Sequence, residues 1–302
     1  MSAIRRSIGG NLGGADTVCG DSIPGTMEPM TDRRPTLRAA LALCGCGVLL
    51  LTGCSSPTPA SNEPTQVSPE TVGTNASASS TASAGVVGAD LSGKTIAIDP
   101  GHNGGNAKDP EAIASPVPDG RGGTKACNTT GTATDSDYEE SEFAWSVAGF
   151  LRDDLEAAGA AVILSRSGDD GVGPCVDERG TFADDADVLV SIHANGSEST
   201  KPKGFHIIVA DPGKSRKLED ESTRLAKSLS GSMAAEFTPN TAYGKDAISA
   251  RPDLAGLNNA SVPAVIVECG EMRNPDEAAV MESEDGRRRY AEAIAVGIGD
   301  WF

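Results

Sequence analysis

The chain holds only three histidines, and two of them follow runs of β-forming apolar residues: His102 in Ile98-Asp99-Pro100-Gly101-His102 and His193 in Val190-Ser191-Ile192-His193-Ala194-Asn195. A third run, Val265-Ile266-Val267, leads straight into Glu268. An unpaired charge is costly at the end of so apolar a segment. Two imidazoles and a carboxylate with one open position form a catalytic zinc set, in which the metal polarises a carbonyl and makes water nucleophilic near neutral pH. Taken singly, each residue is as well explained as a satisfied loop histidine or a surface acid. Three ionisable groups at three equivalent strand ends, two of them from the chain's three histidines, are expected to share one pocket.

The elements that must position them alternate along the chain. Strands are predicted at 94–99, 161–164, 187–192, 204–209 and 262–267. Phe143, Val147, Phe150, Leu151 and Leu155 recur at helical spacing and stop at Gly159, a helix-ending signal. Further helices are expected over about 219–236 and 286–300. Such alternation implies an α/β domain built on a mostly parallel twisted sheet with helices on both faces. In that architecture active groups gather where the strands end and loops leave the scaffold.

Three segments carry a resemblance: Ile98-Asp99-Pro100-Gly101-His102-Asn103-Gly104-Gly105, Ser191-Ile192-His193-Ala194-Asn195 and Val265-Ile266-Val267-Glu268. In order and spacing they resemble the signature blocks of the zinc-dependent N-acetylmuramoyl-L-alanine amidases of the amidase-3 type, across essentially all of 94–302. The resemblance implies one zinc ion held by His102, a glutamate at the entrance of the first helix, and His193, with Glu268 as the catalytic acid and base. Glu139, Glu140 and Glu142 all stand at that entrance. The family spacing of apolar residues after the ligand favours Glu140, followed by Phe143 and Trp145. The implied substrate is peptidoglycan, cut between the lactyl group of N-acetylmuramic acid and the L-alanine of the stem peptide. Two other readings share these residues: a zinc peptidase cutting within the stem peptide, and a wall-binding lipoprotein that keeps the fold without catalysis.

Among the neighbouring residues, Asn195 is a candidate donor to substrate, or else shapes its loop. Asp99 is expected to serve the turn before His102 by accepting backbone N–H groups. His206, between Phe205 and Ile207, is expected to face away from the core and stays outside the site. Asn274-Pro275 reads as a helix cap. Cys127 and Cys175 lie in Gly-rich loops and are the best disulfide candidates in an exported protein, tying down a long segment at 103–137 that is an insertion relative to the family. Cys269 is expected to be a buried thiol.

The N-terminal third is of a different kind. A basic flank at Arg33-Arg34 precedes 13 mostly apolar residues, 39–51, and then Leu51-Thr52-Gly53-Cys54. That length suits an export signal and is short for a spanning helix. The final four residues resemble a bacterial lipobox, which implies a lipid anchor on Cys54 and a position on the outer face of the cytoplasmic membrane. Met27 and Met30 are alternative starts to Met1. Residues 55–90, rich in Ser, Thr, Pro and Ala, are expected to form a disordered tether. The organisation is therefore 1–54 extension and signal, 55–90 tether, and 91–302 a catalytic domain expected to act as a monomer. The formal net charge of −18 argues against nucleic-acid partners.

Overall fold

The computed structural model describes residues 88–302; the expected signal, Cys54 and nearly all of the tether lie outside the described residues. The described residues form eight strands: β1 Thr95–Pro100, β2 Pro116–Pro118, β3 Thr124–Ala126, β4 Ala161–Leu164, β5 Val188–Asn195, β6 His206–Ala210, β7 Ile248–Arg251 and β8 Ala264–Glu271. The helices are α1 Pro110–Ala114, α2 Glu140–Ala157, α3 Glu178–Thr181, α4 Arg216–Met233, α5 Ala255–Asn259, α6 Pro275–Glu282 and α7 Glu284–Trp301. Six strands form one sheet in the order β4-β1-β5-β8-β6-β7. All neighbours run parallel except β6 and β8, which are antiparallel.

The two faces of this sheet are covered very differently. One face is packed by the long helices α2, α4 and α7. Phe143, Val147, Leu151 and Leu155 recur four residues apart along one side of α2 and are fully buried there, as the apolar spacing requires. They join Ile96, Ile98, Val190, Val265 and Val267 from the sheet and Leu225, Tyr290 and Ile294 from α4 and α7. Phe143 meets the Tyr290 ring edge-on at 5.6 Å. The helix closes at Gly159, whose φ of +94° only glycine adopts without strain. The opposite face, carrying Ala97, Leu189, Ala264 and Ile208, has a smaller cluster with Leu257 and Ala260 of the short α5 segment. This thin cover leaves room for a cavity.

Several expectations are corrected. The third and fifth strands run longer than their apolar cores: β5 continues to Asn195 and β8 to Glu271, so His193 and Glu268 lie within strands rather than beyond them. Mutual pairing extends both strands, since His193 is the register partner of Glu268. The strand at 206 joins antiparallel, with His206 opposite Glu268. Two features had no sequence expectation: β7 at the sheet edge, and the hairpin β2-β3 within 103–137.

Replacing Leu151 with Ala is expected to destabilise the domain by about 2–5 kcal/mol through the cavity left under α2, seen as a lower urea midpoint with unchanged slope.

Candidate active site

His102 stands just past β1, Glu140 opens α2, and His193 and Glu268 come from the two central strands. Between His102 and β1 the chain turns at Gly101, where a Cβ would lie only 2.4 Å from the His193 ring. His102 itself has φ of +55°, a left-handed conformation uncommon outside glycine. Two buried arginines hold this turn. Arg179 donates to Asp99 Oδ1 at 2.6 Å, to the Pro100 carbonyl at 2.7 Å and to the His102 carbonyl. Arg166 donates to the carbonyls of Pro100, Gly101 and Ser141 and to Asp169.

The imidazoles and the carboxylate converge. Glu140 Oε1 lies 3.2 Å from His102 Nε2 and 2.9 Å from His193 Nδ1. One ligand atom from each residue lies within 4.8 Å of the others. On the far side of its ring, His102 Nδ1 donates to the Thr129 carbonyl at 3.1 Å. A carbonyl only accepts, so Nδ1 carries a proton and Nε2 is the nitrogen turned towards Glu140, the orientation a metal ligand needs. Glu140 Oε2 accepts from the Thr132 amide at 3.0 Å, which fixes the carboxylate. Burial would raise the Glu140 pKa, but the two imidazoles overcome it and hold the carboxyl well below its usual range. Two imidazole nitrogens and a carboxylate oxygen around one point are a donor set suited to zinc. Glu139 and Glu142 are not part of this cluster.

Glu268 stands half-buried beside it and lines both hollows, and its Oε2 is buried with no hydrogen-bond partner among the described residues. Burial first, then the carboxylates of Glu140 and Glu271, push its pKa well above the ordinary value, while Arg251 opposes the shift. Such a group is poised to carry a proton for part of a cycle. A cation bound on the triad would offset the share due to Glu140.

The remaining candidates are placed as follows. Asn195 donates through Nδ2 to Tyr243 Oη and to Glu271 Oε1, both at 2.6 Å, so its amide nitrogen is engaged within the protein and Oδ1 is what it can offer outward. Asp99 accepts from the hydroxyls of Ser165 and Ser191 and from Arg179 rather than from turn amides. Burial would raise its pKa; Arg179 and the two hydroxyls keep it lowered. Cys127 and Cys175 are joined in a disulfide, and Cys269 is a buried free thiol. His206 does point away from the main core, yet it is buried on the site's face of the sheet, next to Glu268 in register. Its ring stacks on Tyr243 at 3.9 Å, and burial together with the Arg251 charge lowers its pKa to about 4. Arg179, Arg251, Tyr243 and His206 had no place in the site read from sequence. Only the alternation around His206 carried a usable signal, and it needed the pairing of β6 with β8 to be read.

Two hollows meet at the triad, each of about 310 Å³. Both are lined by His102, Thr129, His193 and Glu268. The first continues over Leu189, Ile208, Ile266 and Leu257 beneath the β2-β3 hairpin, and the second opens past Gly131, Thr132, Asn195 and Gly196.

A mostly parallel α/β sheet with two histidines and a glutamate converging beside a further acid, Glu268, is a build suited to a metal-dependent hydrolase. The chain belongs to the N-acetylmuramoyl-L-alanine amidase family, whose model matches residues 96–300. It is 40% identical over 223 residues to an N-acetylmuramoyl-L-alanine amidase of Mycobacterium tuberculosis, spanning 73% of this chain and 91% of that protein. Its fold is similar to the crystal structure of the N-acetylmuramyl-L-alanine amidase of Mycobacterium smegmatis, with TM-score 0.67, 40% identity, and coverage of 70% of this chain and 98% of that one. The apo enzyme of Mycobacterium abscessus is similar to the same degree, with TM-score 0.66, 40% identity, and coverage of 70% and 99%.

Replacing Arg179 with Met strands a buried Asp99 carboxylate, so a loss of about 3–5 kcal/mol in unfolding free energy is expected. Zinc affinity should fall about 10- to 100-fold as His102 loses its support, measured by chelator competition under conditions where the variant stays folded.

Proposed function

We propose that the protein is a peptidoglycan hydrolase that cuts the amide between the N-acetylmuramoyl lactyl group and L-alanine, with His102, Glu140 and His193 holding one zinc ion and Glu268 moving the proton. The observation that carries this reading is the position of the triad and Glu268 at the junction of two hollows. An amide linking a sugar acid to a peptide has two unlike arms, and the junction receives each arm on its own side of the reacting atoms.

Bound on the triad, zinc would polarise the scissile carbonyl and lower the pKa of a water molecule. The residues of this chain supply the rest. Glu268 takes the proton from the attacking water and returns it to the nitrogen of the departing L-alanine, which leaves as a neutral amine. Thr129 and Thr132 hold His102 and Glu140 in place by the hydrogen bonds already described. Asn195 faces the open hollow, where its Oδ1 can accept from substrate.

All four functional groups come from one chain, which supports a monomeric catalytic unit. The substrate lies outside the cytoplasm, and the disulfide is of a type that persists in oxidising compartments. Both support export, with a lipid on Cys54 and the tether at 55–90 letting an anchored domain reach the wall.

Chelation should abolish release of intact stem peptides from purified muropeptides, and added zinc should restore it. Glu268→Gln should keep stoichiometric zinc yet lose about 100-fold or more in kcat; mass spectrometry of the products reads both, and full activity in this variant would refute the assignment. For the anchor, Cys54→Ala is expected to move the protein from the membrane pellet to the soluble fraction of fractionated cells.

A further inference from the structure

The hollow beneath the hairpin is apolar along most of its length and ends in cations. Its floor is the thin face of the sheet, Leu189, Ile208 and Ile266, and its side wall is the α5 region with Leu254 and Leu257. The roof is held down at several points. Arg121 donates to the carbonyls of Pro252 and Pro212, both at 2.6 Å, and Asn258 Nδ2 donates to the Asp119 carbonyl at 3.0 Å. This places Lys125 of β3 opposite Arg251 of β7, and both line the cavity.

These two side chains are incompletely satisfied. Lys125 Nζ donates to the Asp253 carbonyl at 2.8 Å and forms no ion pair among the described residues. Arg251 uses Nε and Nη2 on the Asp253 carboxylate, at 2.9 and 2.6 Å, while Nη1 makes no hydrogen bond among the described residues. Two cations against one carboxylate leave a net positive charge at the end of an apolar channel, and Arg251 is felt electrostatically at both Glu268 and His206. The other hollow ends in glycines, threonine and Asn195 and has no such charge.

Register gives the span. Arg251 pairs with Ala210, four residues along β6 from His206, which stands opposite Glu268. At about 3.3 Å per residue this sets the Arg251 backbone about 13 Å further down the sheet, and a long side chain reaches back into the cavity. A peptide advancing by at most about 3.6 Å per residue covers that remaining gap in two or three residues.

We propose that Lys125 and Arg251 form a carboxylate subsite that takes an acidic group on the second or third residue of the departing peptide. The inference rests on the amidase reading and assigns the apolar hollow to the peptide arm and the open polar hollow to the sugar arm. A carboxylate there gains charge-assisted hydrogen bonds from Nη1 and from the ammonium. A carboxamide at the same place would accept from the same donors but bring no opposing charge.

The test uses the zinc-loaded protein and synthetic N-acetylmuramoyl tripeptides that differ only in carrying a free carboxylate or a carboxamide on the second residue, or on the third. Amidation at one of the two positions is expected to raise KM about tenfold or more, the size of a lost charged hydrogen bond, with kcat little changed. In Arg251→Met, and separately in Lys125→Met, this acid-to-amide ratio should shrink towards one; thermal unfolding shows whether each variant is folded. A wild-type ratio within twofold at both positions would overturn the proposal, as would variants that slow acid and amide by the same factor. Should the wild type cleave none of the substrates, the amidase reading fails. Calorimetry with the free acid and amide tripeptides then still judges the subsite: about tenfold tighter binding of the acid upholds it, and equal affinities refute it.

Discussion

The structure depends on one buried carboxylate being reached by two imidazoles that arrive from different parts of the chain. Glu140 sits at the start of α2, where the helix dipole and the Thr132 amide favour its ionised form. His102 and His193 come to it from adjacent strands of the sheet. Such a cluster stays together without a metal because each partner stabilises the charge of the other. A divalent cation binding there would displace the ring protons that face Glu140. The features around it act on its geometry: the tight passage at Gly101, the left-handed His102, and the two arginines whose guanidinium groups tie the turn to the rest of the core.

Those arginines show why the second layer matters. Arg179 is buried and reaches Asp99 and the backbone on both sides of His102. It belongs to α3, which directly follows the disulfide-bonded Cys175. At the other end of that bond, Cys127 is two residues from Thr129, whose carbonyl orients the His102 ring. The crosslink thus joins the two segments that support the same imidazole from opposite sides. The segment 103–137 supplies part of the site, and its hairpin roofs the apolar hollow.

Much of this was legible from residue type and spacing. Apolar residues four apart announced α2, and short apolar runs announced the core of each of the five main strands. Rare histidines behind two of those runs marked the site. Legibility failed where long-range pairing decides. β5 and β8 extend through His193 to Asn195 and through Glu268 to Glu271 because each strand gives the other its hydrogen bonds, a fact absent from either segment alone. The same holds for His206: alternation told which way it points relative to Phe205 and Ile207, but only the antiparallel junction of β6 with β8 set it beside Glu268. Arg179 and Arg251 look in sequence like any other arginine.

The chain by itself determined which groups can do chemistry, because a helix or strand is encoded by local periodicity and a metal set by scarce residue types. Only tertiary structure decided which glutamate at the helix entrance meets the histidines, since Glu139, Glu140 and Glu142 differ by about 100° per residue around the helix axis. It alone decided, too, that one sheet face would be thickly covered and the other left hollow. Cover of that kind depends on how far apart packed elements lie in space, and distance along the chain carries no record of it.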